Sequence, residues 1–174
     1  YNNLGNTLRE LSKMQEAEIK YKQSLAIKPD FREPYNNLAH LFKELDRLGE
    51  AEKSCRKVLS FSPNIAEAHY SLGNVLLQLG KFKDAEASYK QAIGLKSNYP
   101  EAFNNLGNTL RALGNIKAAE KSYKKAIEFK SDFYEAHNNL GTVLTELEKL
   151  DEAGFSFRRA IELKSDHAEA HNNL

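Results

Sequence analysis

Tryptophan is absent, cysteine and methionine occur once each, and only 4 of the 174 residues are proline. The single thiol, Cys55, excludes an internal disulfide and any multi-cysteine metal site. One thiol fits an oxidising or a reducing compartment; a cytoplasmic location is the expectation carried forward. Charge of one sign is also lacking. The 25 Lys and Arg against 24 Asp and Glu leave a net charge of +1, which supplies no global field to recruit nucleic acid or an anionic membrane. No apolar run approaches the roughly 18 residues needed to cross a bilayer, and no signal-peptide pattern opens the chain. What remains, 41% hydrophobic and 28% charged residues, is the composition of a folded, helical protein and not of a disordered one.

What is present in abundance is a repeat. Leu4, Leu38, Leu72, Leu106, Leu140 and Leu174 recur every 34 residues without an insertion, and Ala17, Ala51, Ala85, Ala119 and Ala153 keep the same spacing. With those leucines at position 7, position 1 is Arg32, Ala66, Pro100, Tyr134 and Ala168. The repeats then cover approximately 1–31, 32–65, 66–99, 100–133 and 134–167, and 168–174 begin a further one. Both ends fall inside a helix pattern, so the chain is expected to be a piece of a longer protein.

Each period reads as a helical hairpin. Asp30-x-x-Glu33, Asn64-x-x-Glu67, Asn98-x-x-Glu101, Asp132-x-x-Glu135 and Asp166-x-x-Glu169 predict capping boxes that open a first helix, A. Leu72, Leu76 and Leu79 follow at helical spacing. Gly80 and Gly114 mark the turn in two repeats, where Ser12, Asp46 and Glu148 stand elsewhere. A second helix, B, carries Ala85, Tyr89, Ala92 and Ile93, with counterparts Ala119, Tyr123, Ala126 and Ile127. Lys28, Lys96, Lys130 and Lys164 are expected in its last turn, and Pro29 and Pro63 end it in two repeats.

The segment Phe103, Leu106, Gly107, Leu110, followed by Ala119, Tyr123 and Ala126, resembles the tetratricopeptide repeat, and the resemblance covers the whole chain. It implies an all-α fold: a right-handed superhelical solenoid of tandem antiparallel helix pairs, with an inner groove lined by A helices. It also implies a protein–protein interaction module that binds an extended peptide or a partner protein and needs no cofactor.

Residues capable of chemistry fall at packing positions. His69, His137 and His171 share position 4 with Tyr1, Tyr35 and Phe103, so a large packing residue is a simpler reading than a metal ligand. Cys55 stands where Tyr21, Tyr89, Tyr123 and Phe157 stand, which reads as an inert buried thiol. No phosphate loop, nucleophile elbow or catalytic carboxylate pair occurs, so no enzymatic constellation is expected. Lys22, Arg56, Lys90, Lys124 and Arg158 form a basic row at position 25 without interleaved aromatics, a pattern of a solvated convex face and not of a nucleic-acid interface.

The family resemblance places positions 2, 5, 6, 9 and 12 on the groove. Position 6 holds Asn3, Asn37, Ser71, Asn105, Asn139 and Asn173; position 5 holds Asn2, Asn36, Tyr70, Asn104, Asn138 and Asn172; position 9 adds Asn6, Asn74 and Asn108. An asparagine amide can bond both N–H and C=O of an extended backbone without reading its side chains. The peptide-binding candidates are therefore Asn3, Asn6, Asn37, Asn74, Asn105, Asn108 and Asn139. Tyr70 and Leu77, the latter replacing Arg9, Lys43 and Arg111 of sister repeats, are candidates for an apolar anchor. Family members that grip chaperone carboxylate tails use Lys or Arg at positions 2, 5 and 6, where this chain has Glu and Asn, so that mode is not expected. The asparagine rows resemble the substrate-recognition arm of O-linked N-acetylglucosamine transferases and their bacterial relatives. The alternative is a scaffold that self-associates end to end through exposed apolar faces.

Overall fold

A computed structural model describes residues 1–164. Asp166, Glu169, His171, Asn172, Asn173 and Leu174 lie outside the described residues. Among the described residues the chain forms ten α-helices and no strand: α1 (Asn2–Glu10), α2 (Met14–Ile27), α3 (Arg32–Glu44), α4 (Leu48–Phe61), α5 (Ala66–Gln78), α6 (Phe82–Leu95), α7 (Pro100–Ala112), α8 (Ile116–Phe129), α9 (Tyr134–Glu146) and α10 (Leu150–Leu163). Odd-numbered helices are the A helices and even-numbered ones the B helices. The chain divides into two compact units, Tyr1–Lys81 with α1 to α5 and Phe82–Leu174 with α6 to α10. In the first unit helices pack on their chain neighbours, and the A helices α1 and α3 also touch; in the second, α7 and α9 do the same.

Every A helix stops in the same way. Ser12, Asp46, Gly80, Gly114 and Glu148 all have φ between 55 and 77°, and the following amide reaches back across the turn. The Lys13 N–H donates to the Leu8 carbonyl at 2.8 Å, Arg47 to Phe42 at 2.7 Å and Lys149 to Leu144 at 2.9 Å, which is the long bond of a Schellman ending. A side chain in this left-handed region costs roughly 1–2 kcal/mol, which glycine does not incur. Glu148 is exposed. Glu148→Gly is therefore expected to stabilise the protein by about 1 kcal/mol, once glycine's extra freedom in the unfolded chain is subtracted. Urea unfolding reads this directly, and a midpoint that stays or falls at constant slope would contradict it.

The starts of the A helices differ from expectation. The cap positions of α3, α5, α7 and α9 are Phe31, Ile65, Tyr99 and Phe133, one residue beyond Asp30, Asn64, Asn98 and Asp132, and none makes a side-chain cap bond. The capping-box reading is thus corrected. Tyr99 and Phe133 are buried, and Phe133 joins Ala126, Ala136, Phe103 and Ile127 in one core cluster. Burying such a side chain contributes about 1.5–3 kcal/mol, more than the ~1 kcal/mol of a typical cap oxygen, so packing sets the register. The last-turn lysines are corrected too: Lys28, Lys130 and Lys164 occupy the C-cap just past the helix. Their ammonium groups lie over rings, Lys28 at 5.7 Å from the Phe31 centroid, Lys130 at 4.9 Å from Phe133 and Lys164 at 4.7 Å from Tyr134, so each contributes a cation–π contact.

Within each of three hairpins a B-helix ring lies against an A-helix glycine. A Cβ built on Gly5, Gly107 or Gly141 would fall 2.5 Å from the ring of Tyr21, Tyr123 or Phe157 respectively. Small residues close the rest of the interface: Ala17, Ala51, Ala85, Ala119 and Ala153 are all buried.

Position 4 ties the A helix to the loop before it. The Tyr35 hydroxyl donates to the Pro29 carbonyl at 3.3 Å, and Nε2–H of His69 and of His137 donates to the carbonyls of Pro63 and Ser131 at 2.8 and 3.0 Å. Each partner lies six residues upstream. Burial holds the His137 pKa below its ordinary value, against the opposing effect of its carbonyl bond. These histidines therefore have a packing and latching role, and no group of three or more metal-capable side chains occurs among the described residues.

The basic row at position 25 is paired. Lys22, Arg56, Lys90 and Lys124 reach Glu18, Glu52, Glu86 and Glu120 one helical turn away at 2.6, 2.9, 2.6 and 2.7 Å. Three of those glutamates take a second cation from the next repeat: Arg47 on Glu18, Lys81 on Glu52 and Lys149 on Glu120. Hydrogen bonds from these cations hold the three carboxyls below their usual pKa. Most of the row is thereby committed to intramolecular partners.

Candidate functional site

The asparagine rows lie on adjoining A helices within each unit, and they bond to one another. In the first unit Nδ2 of Asn37 on α3 donates to Oδ1 of both Asn2 and Asn6 on α1, each at 2.9 Å. In the second, Nδ2 of Asn139 on α9 donates to Oδ1 of Asn104 on α7 at 3.0 Å, and Asn104 in turn donates to Oδ1 of Asn105 at 3.3 Å. The bridges Asn37–Asn2 and Asn139–Asn104 both span 35 residues, one repeat plus one position. Asn138, 2% exposed, keeps an Oδ1 with no hydrogen-bond partner among the described residues.

A second layer fixes position 9 from behind. The hydroxyl of Tyr21 donates to Asn6 Oδ1 at 2.9 Å, and that of Tyr123 to Asn108 Oδ1 at 2.8 Å. Asn6 thus accepts twice through its oxygen, while its Nδ2 has no hydrogen-bond partner among the described residues. Asn37 does the reverse: both donor hydrogens are engaged and its oxygen is left to accept. One helix step therefore offers a donor beside an acceptor, which matches the C=O and N–H of an extended backbone. Desolvation raises the Tyr123 pKa above its ordinary value, so the phenol remains a donor.

The remaining candidates occupy varied settings. Asn3 is exposed on α1 and its backbone carbonyl accepts from Thr7 at 3.3 Å. Tyr70 and Asn74 on α5 line a cavity of about 250 Å³ with Asn36, Ala39, His40 and Lys43 of α3 and Cys55 of α4. Leu77 is half-buried and does not line that cavity. Burial pushes the Cys55 thiol up to about 12, which keeps it protonated and unreactive. A larger concavity of about 490 Å³ lies among α8, α9 and α10, where Ile127, Leu140, Leu144 and Phe155 line it. None of the described asparagines lines it.

The sequence marks the asparagine rows, but it does not mark Asn2 and Asn104 as their internal acceptors or the tyrosines that orient position 9. The recurring 15-residue interval of Asn6–Tyr21 and Asn108–Tyr123 is the signal that could have found the latter.

The same hairpins recur in known proteins. Models described as TPR repeat match residues 73–114 and 107–147; models described as tetratricopeptide repeat match 54–87, 33–65, 134–167 and 1–35. No curated protein matches the sequence. Among solved structures, a crystal structure of MamA is 25% identical with a TM-score of 0.89, covering 97% of this chain and 99% of that one. YrrB, described as a TPR protein with an unusual peptide-binding site, is 23% identical with a TM-score of 0.83 over 99% of this chain and 89% of its own. The first TPR of Spaghetti (RPAP3), solved bound to the HSP90 peptide SRMEEVD, is 25% identical with a TM-score of 0.62 over 63% of this chain and 86% of its own. Among the described residues no helix is long and apolar enough to cross a membrane. Matched from residue 1 to 167 and all-α throughout its described length, the chain belongs to the tetratricopeptide-repeat family and carries that family's protein-interaction fold.

Proposed function

We propose that this chain is a protein-interaction module whose A-helix face holds an extended peptide by its backbone. The observation that carries the reading is the paired orientation of Asn6 and Asn37, one presenting amide hydrogens and the other a carbonyl oxygen. Asn108 and Asn139 repeat the arrangement in part within the second unit. The RPAP3 domain bound to a heptapeptide supports peptide capture as a use of this fold. Backbone recognition makes the binding tolerant of sequence, with Asn3, Asn74 and Asn105 extending the polar wall.

The test starts from peptides selected on the whole chain from a random display library. Asn37→Ala and Asn139→Ala each remove one such contact, worth about 0.5–1.5 kcal/mol net, so affinities measured by calorimetry should fall roughly two- to tenfold per site. Helicity should be unchanged, and the ranking of peptides should be preserved. Undiminished affinity in both variants would place the binding surface elsewhere. Self-association is the second reading, favoured by the exposure of Leu4 and Leu11 on and just after α1 and of Leu150 and Phe155 on α10; light scattering across a concentration series reads it.

A further inference from the structure

Four repeats fill one slot behind the A helix with a ring, Tyr21, Tyr89, Tyr123 and Phe157, and the second repeat does not. Its Cys55 is much smaller, and the glycine that elsewhere admits the ring is Ala39. A Cβ at this position in the first, fourth and fifth repeats would stand 2.5 Å from the ring, so Ala39 and an aromatic residue at position 55 exclude each other. The third member of the constellation changes as well: His40 stands where Asn6 and Asn108 receive a tyrosine hydroxyl. The volume vacated is not refilled. It persists as the cavity of about 250 Å³ between α3 and α5, with Cys55 at its base.

Two residues that join neighbouring A helices elsewhere are replaced at this step. Ser71 replaces the asparagine that in α3 and α9 bridges back to the preceding helix. In the second unit Arg111 pairs with Glu146, 35 residues on, at 2.6 Å; the same interval from Lys43 leads to Gln78, which is neutral. Lys43 has no carboxylate partner among the described residues. Arg9 of α1 adds a second cation near His40, with Glu44 the opposing acid there. The cavity therefore combines an apolar base of Ala39, Cys55 and Val75 with a polar rim that carries the ammonium group of Lys43. It is smaller than the roughly 300–1,000 Å³ that drug-sized ligands occupy, and it suits a single side chain.

We infer that this cavity receives an aromatic side chain of the bound partner, in place of the ring the repeat has lost, while Lys43 holds a carboxylate next to that residue in the partner. The inference rests on the peptide-binding reading above and gives it a point of sequence selectivity: an acidic segment with one buried aromatic residue, inserted at the second repeat.

The probe is a capped Gly-Asp-Tyr-Asp-Gly peptide titrated into the whole chain and followed by amide chemical shifts. Replacing its Tyr with Ala should weaken binding at least tenfold, and replacing both Asp with Asn should weaken it about threefold or more. In the protein, Ala39→Gly/Cys55→Tyr restores the glycine and ring of the sister repeats and fills the cavity; it should fold at least as stably and lose the probe. Cys55→Met, which fills the space with a flexible chain, provides an independent measurement should the double variant misfold. Lys43→Gln should abolish the preference for Asp over Asn. Equal affinity of the Tyr and Ala probes, or full probe binding by the filled variants, overturns the inference. If the filled variants bind the probe normally while Asn37→Ala does not, the groove reading stands without this pocket; if all three bind normally, both fall.

Discussion

Replacing Tyr123 with alanine should lower the unfolding free energy by about 3–5 kcal/mol, the range for removing a buried ring. The side chain is 1% exposed, it lies on Gly107, and its hydroxyl is bound to Asn108, so neither the void nor the lost contact is readily repaired. Asn108 itself is half-buried and can turn to water, which limits the penalty on the polar side. Cys55→Ala at the equivalent slot should cost only on the order of 1 kcal/mol, since it removes one small group from a wall that already borders a cavity. Urea unfolding of the two variants measures the contrast. Similar losses at both positions would mean that the rings are not the principal fasteners of the hairpins.

Gly107→Ala should destabilise the protein by about 1–3 kcal/mol through overpacking, even though alanine is favoured over glycine in a helix by up to about 1 kcal/mol. The added methyl would meet Cε1, Cδ1 and Cζ of Tyr123 at 2.5, 2.7 and 2.8 Å, and the ring shares its helix with the buried Ala119 and Ala126. Tyr123→Cys in the same chain should relieve the clash and recreate the pairing found at Ala39 and Cys55. The double variant should therefore be more stable than the sum of the two single losses implies, by about 0.5 kcal/mol or more for residues in direct contact. Additive losses would be evidence that glycine and ring do not interlock.

The hairpins can be read from the sequence because a 34-residue period with two apolar stripes admits few other folds. Leu38, Leu72, Leu106 and Leu140 are buried as that periodicity requires. Helix starts cannot be read with the same assurance. Asp30 and Asp132 look like caps by residue type, yet the residue that packs best decides the boundary, and packing at Phe133 depends on Ala126 and Phe103 from other helices. The same limit applies to the candidate site. The asparagine rows are plain in the sequence, but bonds spanning 35 residues, such as Asn37–Asn2, exist only once neighbouring helices are placed side by side. The basic row is half legible: Lys124 and Glu120 are one helical turn apart, whereas the 29-residue link from Lys149 to the same glutamate is not visible in any helical wheel.

The lock between glycine and ring joins the two helices of one hairpin, and so does the tyrosine-to-asparagine bond behind the groove. This decides what can be shuffled. A graft of α3 alone in place of α7 would set a methyl group, that of Ala39, against Tyr123, whereas α3 moved together with α4 carries its own small partner, Cys55. In building chimaeras from these repeats, or in tracing how duplicated copies diverged, the hairpin and not the helix is the smallest interchangeable part.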